Sequence, residues 1–521
     1  MAPDRGHSGS LRQPAAATTT ARGLVEFNEP RYDAPMKKTI LVIGAVLIGL
    51  IAIAVFRTIT VFEDVQLAPA IIQAQVELDE EPVVERMAGS IRFRTISHDD
   101  RSNFDADAFL AFHDYLRESF PLVHGRAELT LINDYSLLFH IAGSDSSLKP
   151  VMLMGHMDVV PVDDVTLAEW THDPFAGEVV DGEIWGRGTL DDKLSVMSFL
   201  EAIEALIRDG FEPKRSLYLS FGHDEEVGGQ GGAKAVAEHL KEQGIEFEFV
   251  VDEGGVVLDG VIESVDRPVA LIGVAEKGYL NLRLRADAPG GHSSTPPPQS
   301  GLGIISRAIV KLEENPFPAK LTHVKNTFDA FAPHASFTHR LAMGNTWLFG
   351  PVIRAVLVND NATAASMRTT TAATMASGSS KSNILPTRAE AVVNFRILPG
   401  ETAESVRERV VDIIDDERVE VIMETNINPS PVSPTDSMGY ELLAQTIRGF
   451  DDDILVAPNL LSGGTDARYF HAVSPNVYRF VMVRATTDTL KIIHGIDERI
   501  AVEDYLTAIR FYYALIRRAT G

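Results

Sequence analysis

LYLSFGHDEEVGG, residues 217–229, sets an apolar run directly against four polar side chains. Leu217 to Phe221 has the length and composition of a strand buried on both faces. His223, Asp224, Glu225 and Glu226 then follow where that strand must end. Neighbouring carboxylates repel, so such an array needs cations or open solvent. Ligands of open α/β sheets bind beyond the carboxyl ends of the strands, which makes the plainer reading, a solvated loop, the weaker one.

The surroundings repeat the pattern. Leu129 to Ile141 and Val151 to Gly155 read as strands, as does Phe247 to Val251. Phe109 to Phe120, Leu194 to Arg208 and Ala233 to Gln243 read as helices. Strands alternating with helices predict an α/β domain, its sheet mostly parallel and covered on both faces. The texture changes near Lys277. Leu280 to Ala286 alternates apolar and polar residues like a half-exposed antiparallel strand. Ile304 to Leu312 and Glu404 to Ile414 read as helices, Ala389 to Arg396 and Val419 to Thr425 as strands. These make a small α+β unit inserted into the larger domain. The tract from Phe331 to Ser380 carries Trp347 and Phe349 and then a Thr/Ala/Ser-rich stretch; it reads as an extended lid segment.

The chain of 521 residues is too long for one ordinary core. The reading divides it into a disordered N-terminus (1–35), a signal anchor (36–57), a stalk (58–80), catalytic parts at 81–276 and 429–521, and the inserted lid at 277–428. The anchor rests on Lys37 and Lys38 followed by the uncharged run Ile40 to Phe56. Arg57 closes the run with no small-x-small cleavage site, so an uncleaved anchor is favoured over a cleaved signal. Met36 would be a natural start. Lysines inside put the bulk of the chain outside the cytoplasm, in a periplasmic, extracellular or lumenal space. A formal charge of −26 argues against nucleic acid as a partner. With no cysteine, disulfides, thiol nucleophiles and sulfur-bound zinc are excluded, and any metal must be held by His, Asp and Glu.

Four further clusters share that chemistry. His156 and Asp158 stand in Met154–Asp158 at a strand end, where an acid can accept a ring N–H and fix the tautomer. Asp191 and Asp192 open a helix after Gly186-Arg187-Gly188, where helix capping would need only one acid. Asp252 and Glu253 follow a strand, and His494 to Glu498 lies near the C-terminus. Acids and histidines at several strand ends of one sheet point to hard or intermediate cations bound without sulfur. No G-x-S-x-G supports a serine hydrolase, and no G-K-[ST] follows the glycines at 228–232.

Taken in order, GHMDVVPV, WGRGTLDDK, GHDEEVGG, VDEGG, GGHSSTPP, SNILP, NFRILPG and HGIDERI resemble the motifs of the di-zinc aminoacylase and carboxypeptidase family, over residues 80 to 521. The nearest branch is the Gly-X carboxypeptidase (carboxypeptidase S) and N-fatty-acyl-amino-acid hydrolase group. The resemblance implies a zinc-exopeptidase catalytic domain with a dimerisation-type lid, and two Zn²⁺ per subunit. It implies that Asp191 bridges the ions, that His156 with Asp252 or Glu253 holds one, and that Glu226 and His494 hold the other. It implies Glu225 as general base to a zinc-activated water, Asp158 as the acid that orients His156, and His292 as an oxyanion donor. In dimeric relatives that histidine reaches the partner's site. Arg396, Asn383, Gly464 and Thr465 become candidates for a substrate carboxylate; for Arg396 the plainer reading is a lid salt bridge.

The implied function is hydrolysis of an amide beside a free carboxylate in a small peptide or N-acyl amino acid. Its rivals are the reverse condensation and a catalytically inactive, ligand-binding member; retention of every ligand position and of Glu225 argues against the latter. A homodimer through the lid is the implied assembly.

Overall fold

A computed structural model of the chain describes residues 34–60, 76–262 and 265–521. The expectations for residues 1–33 and 61–75 lie outside these. Helix α1 (Ala34–Thr60) contains a 23-residue stretch, Lys38–Thr60, in which an 18-residue window has a mean hydropathy of 3.0. At 1.5 Å per residue the whole helix is about 40 Å long, more than a bilayer's hydrocarbon core. By length and composition it could cross a membrane. The helix continues past the charge of Arg57, where the apolar run read from the sequence stopped.

The first part of the remaining chain supplies strands β1 (Glu128–Ile132), β2 (Ser136–Ile141), β3 (Val151–His156), β4 (Leu217–Gly222), β5 (Phe249–Asp252) and β6 (Val269–Glu276), with helices α2 (Lys193–Arg208) and α3 (Ala233–Glu242). The middle supplies β7 (Gly278–Asp287), α4 (Gly301–Glu314), α5 (Thr322–Phe331), α6 (Phe337–Met343), α7 (Thr346–Leu357), α8 (Asn361–Met367), β8 (Thr370–Ser377), β9 (Arg388–Ile397), α9 (Ala403–Ile414) and β10 (Glu420–Ile427). The last part supplies β11 (Leu455–Leu461), β12 (Val477–Arg479) and α10 (Val502–Thr520).

Among the described residues ten strands form the central sheet, in which β1, β2, β4, β3, β5, β12 and β6 lie side by side and β11 pairs with β6. Neighbours β4, β3, β5 and β12 run parallel; the hairpin β1–β2 is antiparallel and closes one side. The pleat explains why these strands read as unbroken apolar runs. In β3, Val151 and Leu153 point into the core shared with α2 and α10, while Met152 and Met154 point the other way, toward Val236 and Leu240 of α3. Both faces are covered, so both sets must be apolar.

The segment from β7 to β10 forms its own antiparallel sheet, ordered β8-β9-β7-β10. Leu280, Leu282 and Leu284 of β7 are buried with Ile304 and Ile305 of α4 and Val406 and Val410 of α9, a core separate from that of the large sheet. The alternating residues of β7 stay half-buried, as the sequence pattern predicts. A capping box between Thr402 and Ser405 starts α9.

The structure corrects the reading of 331–380 as extended. Most of it is helical, in α6, α7 and α8, before the chain straightens into β8. Together with α5 these helices form an excursion between α4 and β8. Where it begins, α5 packs on β11 of the large sheet.

Candidate metal centre

Because β4, β3 and β5 are adjacent and parallel, their carboxyl ends bring the motif residues together. His156 is the last residue of β3 and is buried. Its Nδ1 lies 2.9 Å from the carbonyl oxygen of Asp158, and Nε2 is 2.9 Å from Asp191 Oδ1. The other oxygen of Asp191 is 2.9 Å from His494 Nε2, which in turn is 3.4 Å from Glu226 Oε1. Asp191 thus stands between two imidazoles and gives one oxygen to each. His156, Asp191 and Glu226 can offer donor atoms that all lie within 4.8 Å of one another.

Asp158 contacts more than the ring. Its carboxylate sits 3.4 Å from His156 Nδ1, farther than its own carbonyl oxygen. The two carboxylate oxygens accept the backbone N–H groups of Glu225 and Glu226, each at 3.2 Å. Fully buried, Asp158 ties the end of β3 to the short 3₁₀ turn Glu225–Val227 after β4.

The loop carrying Asp191 is held from below by a pair that reading the sequence did not single out. Glu498 Oε1 accepts N–H bonds from Gly188 at 3.0 Å, Leu190 at 2.9 Å and Asp191 at 3.3 Å, and its other oxygen pairs with buried Arg187. Arg187 also donates to Gly495 O at 3.1 Å. The Asp191 loop and the His494 loop are therefore joined by one buried ion pair. The peptide bond between Asp191 and Asp192 is cis. Asp192 points away from the cluster, its Oδ2 accepting the His156 N–H at 3.3 Å.

Charge crowding defines the chemistry. Burial, with Asp466, Glu226 and Asp191 alongside, pushes the Glu225 carboxyl well above its ordinary value despite the opposing pull of His156. Burial also raises Glu226 and Glu253. Asp191 is the exception. Burial works to raise it, but hydrogen bonds from both imidazoles prevail and hold it low. The Asp191 and Glu226 carboxylates push His494 up to about 10, and against burial those of Asp158 and Asp191 raise His156. A cluster of carboxylates that draws protons onto two histidines is short of positive charge. Glu226 Oε1 is buried, and its 3.4 Å contact with His494 Nε2 is an ion pair without hydrogen-bond geometry. The oxygen and nitrogen donors, their spacing and this surplus of negative charge fit divalent cations such as zinc.

Asp252 and Glu253, adjacent at the end of β5, face opposite ways. Asp252 is turned inward and accepts the Ala467 N–H at 2.7 Å. Glu253 lines the cleft beside Asp191. The cleft encloses about 2340 Å³ between the large sheet and the β7–β10 segment. Glu225, Glu226 and His494 line it, as do Arg396 and Gly464. Arg396 lies over the Tyr279 ring at 4.7 Å rather than in a lid salt bridge. Thr465 lines the cleft as well, its N–H donated to Glu276 at 2.8 Å. Arg468 is a second cleft arginine, one that reading the sequence missed.

Two expected residues are not brought to this cleft within the chain. His292 is exposed on the two-residue strand Gly291–His292, with its Nδ1 accepting from Ser294 Oγ at 2.7 Å. Asn383 is exposed beside it, accepting the Ser293 N–H at 3.2 Å. Neither lines the cavity. Asp466, also missed, is buried close to Glu225, with Oδ2 lacking a hydrogen-bond partner among the described residues. Glycines lie against it: a Cβ on Gly222 would come within 2.7 Å of its Oδ2, and one on Gly229 within 2.0 Å of its Oδ1.

Residues 152–518 match the profile of peptidase family M20/M25/M40. A probable carboxypeptidase S-like 2 of Dictyostelium discoideum is 39% identical over 487 residues, covering 92% of this chain and 93% of that protein. An N-fatty-acyl-amino acid synthase/hydrolase of Xenopus tropicalis is 38% identical over 481 residues, covering 91% and 93%. Among solved structures, an M20 family metallo-carboxypeptidase of Sulfolobus solfataricus shares the fold, with a TM-score of 0.61 at 18% identity over 85% of this chain and 99% of that one.

Proposed function

This chain belongs to peptidase family M20/M25/M40, and from that premise we propose that it hydrolyses an amide bond beside a free carboxylate, in a small peptide or an N-acyl amino acid. The observation that carries the reading is Asp191 set between His156 and His494, with Glu225 beside it in a cleft that Arg396 and Arg468 also line. Two zinc ions fit the donors: His156, Asp191 and Glu253 for one, Asp191, Glu226 and His494 for the other. Zinc supplies Lewis acidity, which activates water and polarises a carbonyl.

The chain's own groups do the rest. Glu225, with its raised carboxyl, takes a proton from the attacking water and returns it to the leaving amine. Asp158 holds Glu225 and Glu226 by their backbone N–H groups, so base and ligand keep one spacing. Arg396 and Arg468 bind the substrate carboxylate. Leu258, Val261 and Leu271 give the cleft an apolar wall suited to an acyl group.

The test is a panel of dipeptides and N-acyl amino acids, each paired with its carboxamide analogue, scored by release of free amine from the zinc-loaded full chain. Hydrolysis of the acids, weak action on the carboxamides and its loss in Glu225→Gln are expected. Equal hydrolysis of both series would overturn the carboxylate assignment. Hydrolysis rather than condensation is the favoured direction.

A second reading concerns assembly. His292 and Asn383 lie together on the β7–β10 segment and away from their own cleft, which supports service to a partner copy's site in a homodimer. Mixing His292→Ala with Glu225→Gln subunits would then restore part of the activity; no rescue after confirmed subunit exchange would refute it. Helix α1 is read as an anchor with Lys37 and Lys38 on the cytoplasmic side and the catalytic part outside.

A further inference from the structure

Helix α7 is apolar on the side it buries and on the side it exposes. Trp347, Pro351, Val352, Ala355 and Val356 are all exposed, at helical spacings of i, i+4, i+5, i+8 and i+9, so they form one continuous stripe. Trp347 is 53% exposed, Val352 62% and Val356 63%. Phe337 in neighbouring α6 is 52% exposed. Soluble proteins seldom leave such a stripe to water.

The charge around it is unlike the rest of the chain. About one residue in seven of the sequence is acidic, yet Ala330 to Asn359 contains no Asp or Glu. Its charged groups are Arg340 and Arg354. The repulsion that a net charge of −26 gives most of the surface is relieved here. The C-terminal end of the stripe also reaches the cleft. Val356 and Leu357 line it, together with Met343 and His339 from α6.

We propose that α6 and α7 dock onto a phospholipid bilayer, with the apolar stripe sunk into its interface, so that the cleft opens toward lipid and admits amphiphilic N-acyl substrates from it. The proposal rests on the anchor and on the amidohydrolase reading given above. A bilayer is the occupant that the chain itself keeps at hand. Helix α1 is long and apolar enough to cross one, and the fifteen residues 61–75 can span at most about 50 Å. An exposed Trp, aliphatic residues and flanking arginines without acids are the composition of an interfacial helix. Because acids elsewhere oppose anionic lipid, the docking is apolar in origin and holds on zwitterionic vesicles.

The absence of cysteine makes the test clean. The full chain carrying Val352→Cys is labelled with an environment-sensitive fluorophore and reconstituted in phosphatidylcholine vesicles. Val165→Cys, at a position 81% exposed and outside the stripe, is the control. Co-flotation reports the anchor by itself. The expected result is a blue-shifted label at 352 that loses most of its emission to doxyl-labelled lipid, with neither effect at 165. A chain that floats while 352 behaves like 165 overturns the docking and leaves the anchor standing. A chain that does not float overturns both. Protection at 352 that follows protein density but not doxyl lipid assigns the face to a second copy, and also overturns the proposal. As a functional arm, Val352→Asp should lower kcat/KM about tenfold for a long-chain N-acyl amino acid presented in vesicles, the scale of one buried aliphatic side chain. It should leave a short, water-soluble N-acyl amino acid unaffected. Equal effects on both substrates would contradict the lipid route, and no hydrolysis of either by the wild type would refute the amidohydrolase reading.

Discussion

Replacing Asp158 by Asn changes almost no volume and tests how the centre is held. The carboxylate is fully buried and accepts two backbone N–H groups, from Glu225 and Glu226, both at 3.2 Å. Asparagine keeps one acceptor oxygen and turns the other into a donor. One of the two N–H groups must then face an NH₂. Leaving one buried donor unpaired costs about 1–3 kcal/mol, or roughly 5- to 150-fold in an equilibrium. The cost falls on the turn that carries the proposed base Glu225 and the proposed ligand Glu226. It therefore appears in metal affinity, where loss of an outer partner is worth about 10–100-fold. Zinc competition against a chelating dye measures this directly, with turnover at saturating zinc and thermal unfolding recorded on the same preparations. We expect weaker zinc binding of that size, and turnover that recovers only in part at saturation. Wild-type zinc affinity in a variant that unfolds at lower temperature would refute the reasoning, because Asp158 would then support the fold alone.

Other outcomes follow from the same geometry. Glu225→Gln should retain zinc by elemental analysis and lose about 10²–10⁴-fold in kcat, whereas Asp191→Ala should lose metal and activity together. Glu498→Ala leaves Arg187 buried without its partner and strips an acceptor from three N–H groups, which should cost about 3–5 kcal/mol in urea unfolding and weaken zinc binding. Burial lowers Lys193 to about 7, below the 10.5 of an unfolded lysine, so between those values the unfolded chain holds more protons and stability rises with pH. The stability difference between wild type and Lys193→Met should shift toward the wild type by up to about 1.4 kcal/mol per pH unit across that window; parallel pH profiles would contradict it.

The large sheet was legible because its strands are buried on both faces. Leu217 to Gly222 and Val151 to His156 read as apolar runs, and the acids after them mark where each strand stops. The alternation in β7 was equally plain, since one of its faces is wetter. Helix α7 was not. Its exposed side is apolar as well as its buried one, and Pro351 lies inside it, which argues against a helix when read from sequence. Neither α6 nor α7 has a side-chain cap at its start.

At the site, motif chemistry marked the clusters around His156, Asp191, Glu226 and His494, the resemblance singled out these four as ligands, and the fold brings them together. The choice between Asp252 and Glu253 was not readable. Consecutive residues at a strand end face opposite ways, and only the packing of Ala467 against Asp252 shows which one turns inward. Arg187 and Glu498 both sat inside recognised motifs. No local pattern pairs residues 311 positions apart, so their link needed the fold. His292 and Asn383 were carried over by resemblance, and no contact in their own chain draws them to the cleft.

The central claim is that amide hydrolysis depends on divalent metal held at Asp191. Its most direct test is a zinc titration of chelator-dialysed full-length protein, followed by hydrolysis of a cleaved N-acyl amino acid and by elemental analysis. The account predicts no turnover in the metal-free chain, and recovery that saturates at two equivalents of zinc. Undiminished hydrolysis by protein shown to contain no metal would contradict it.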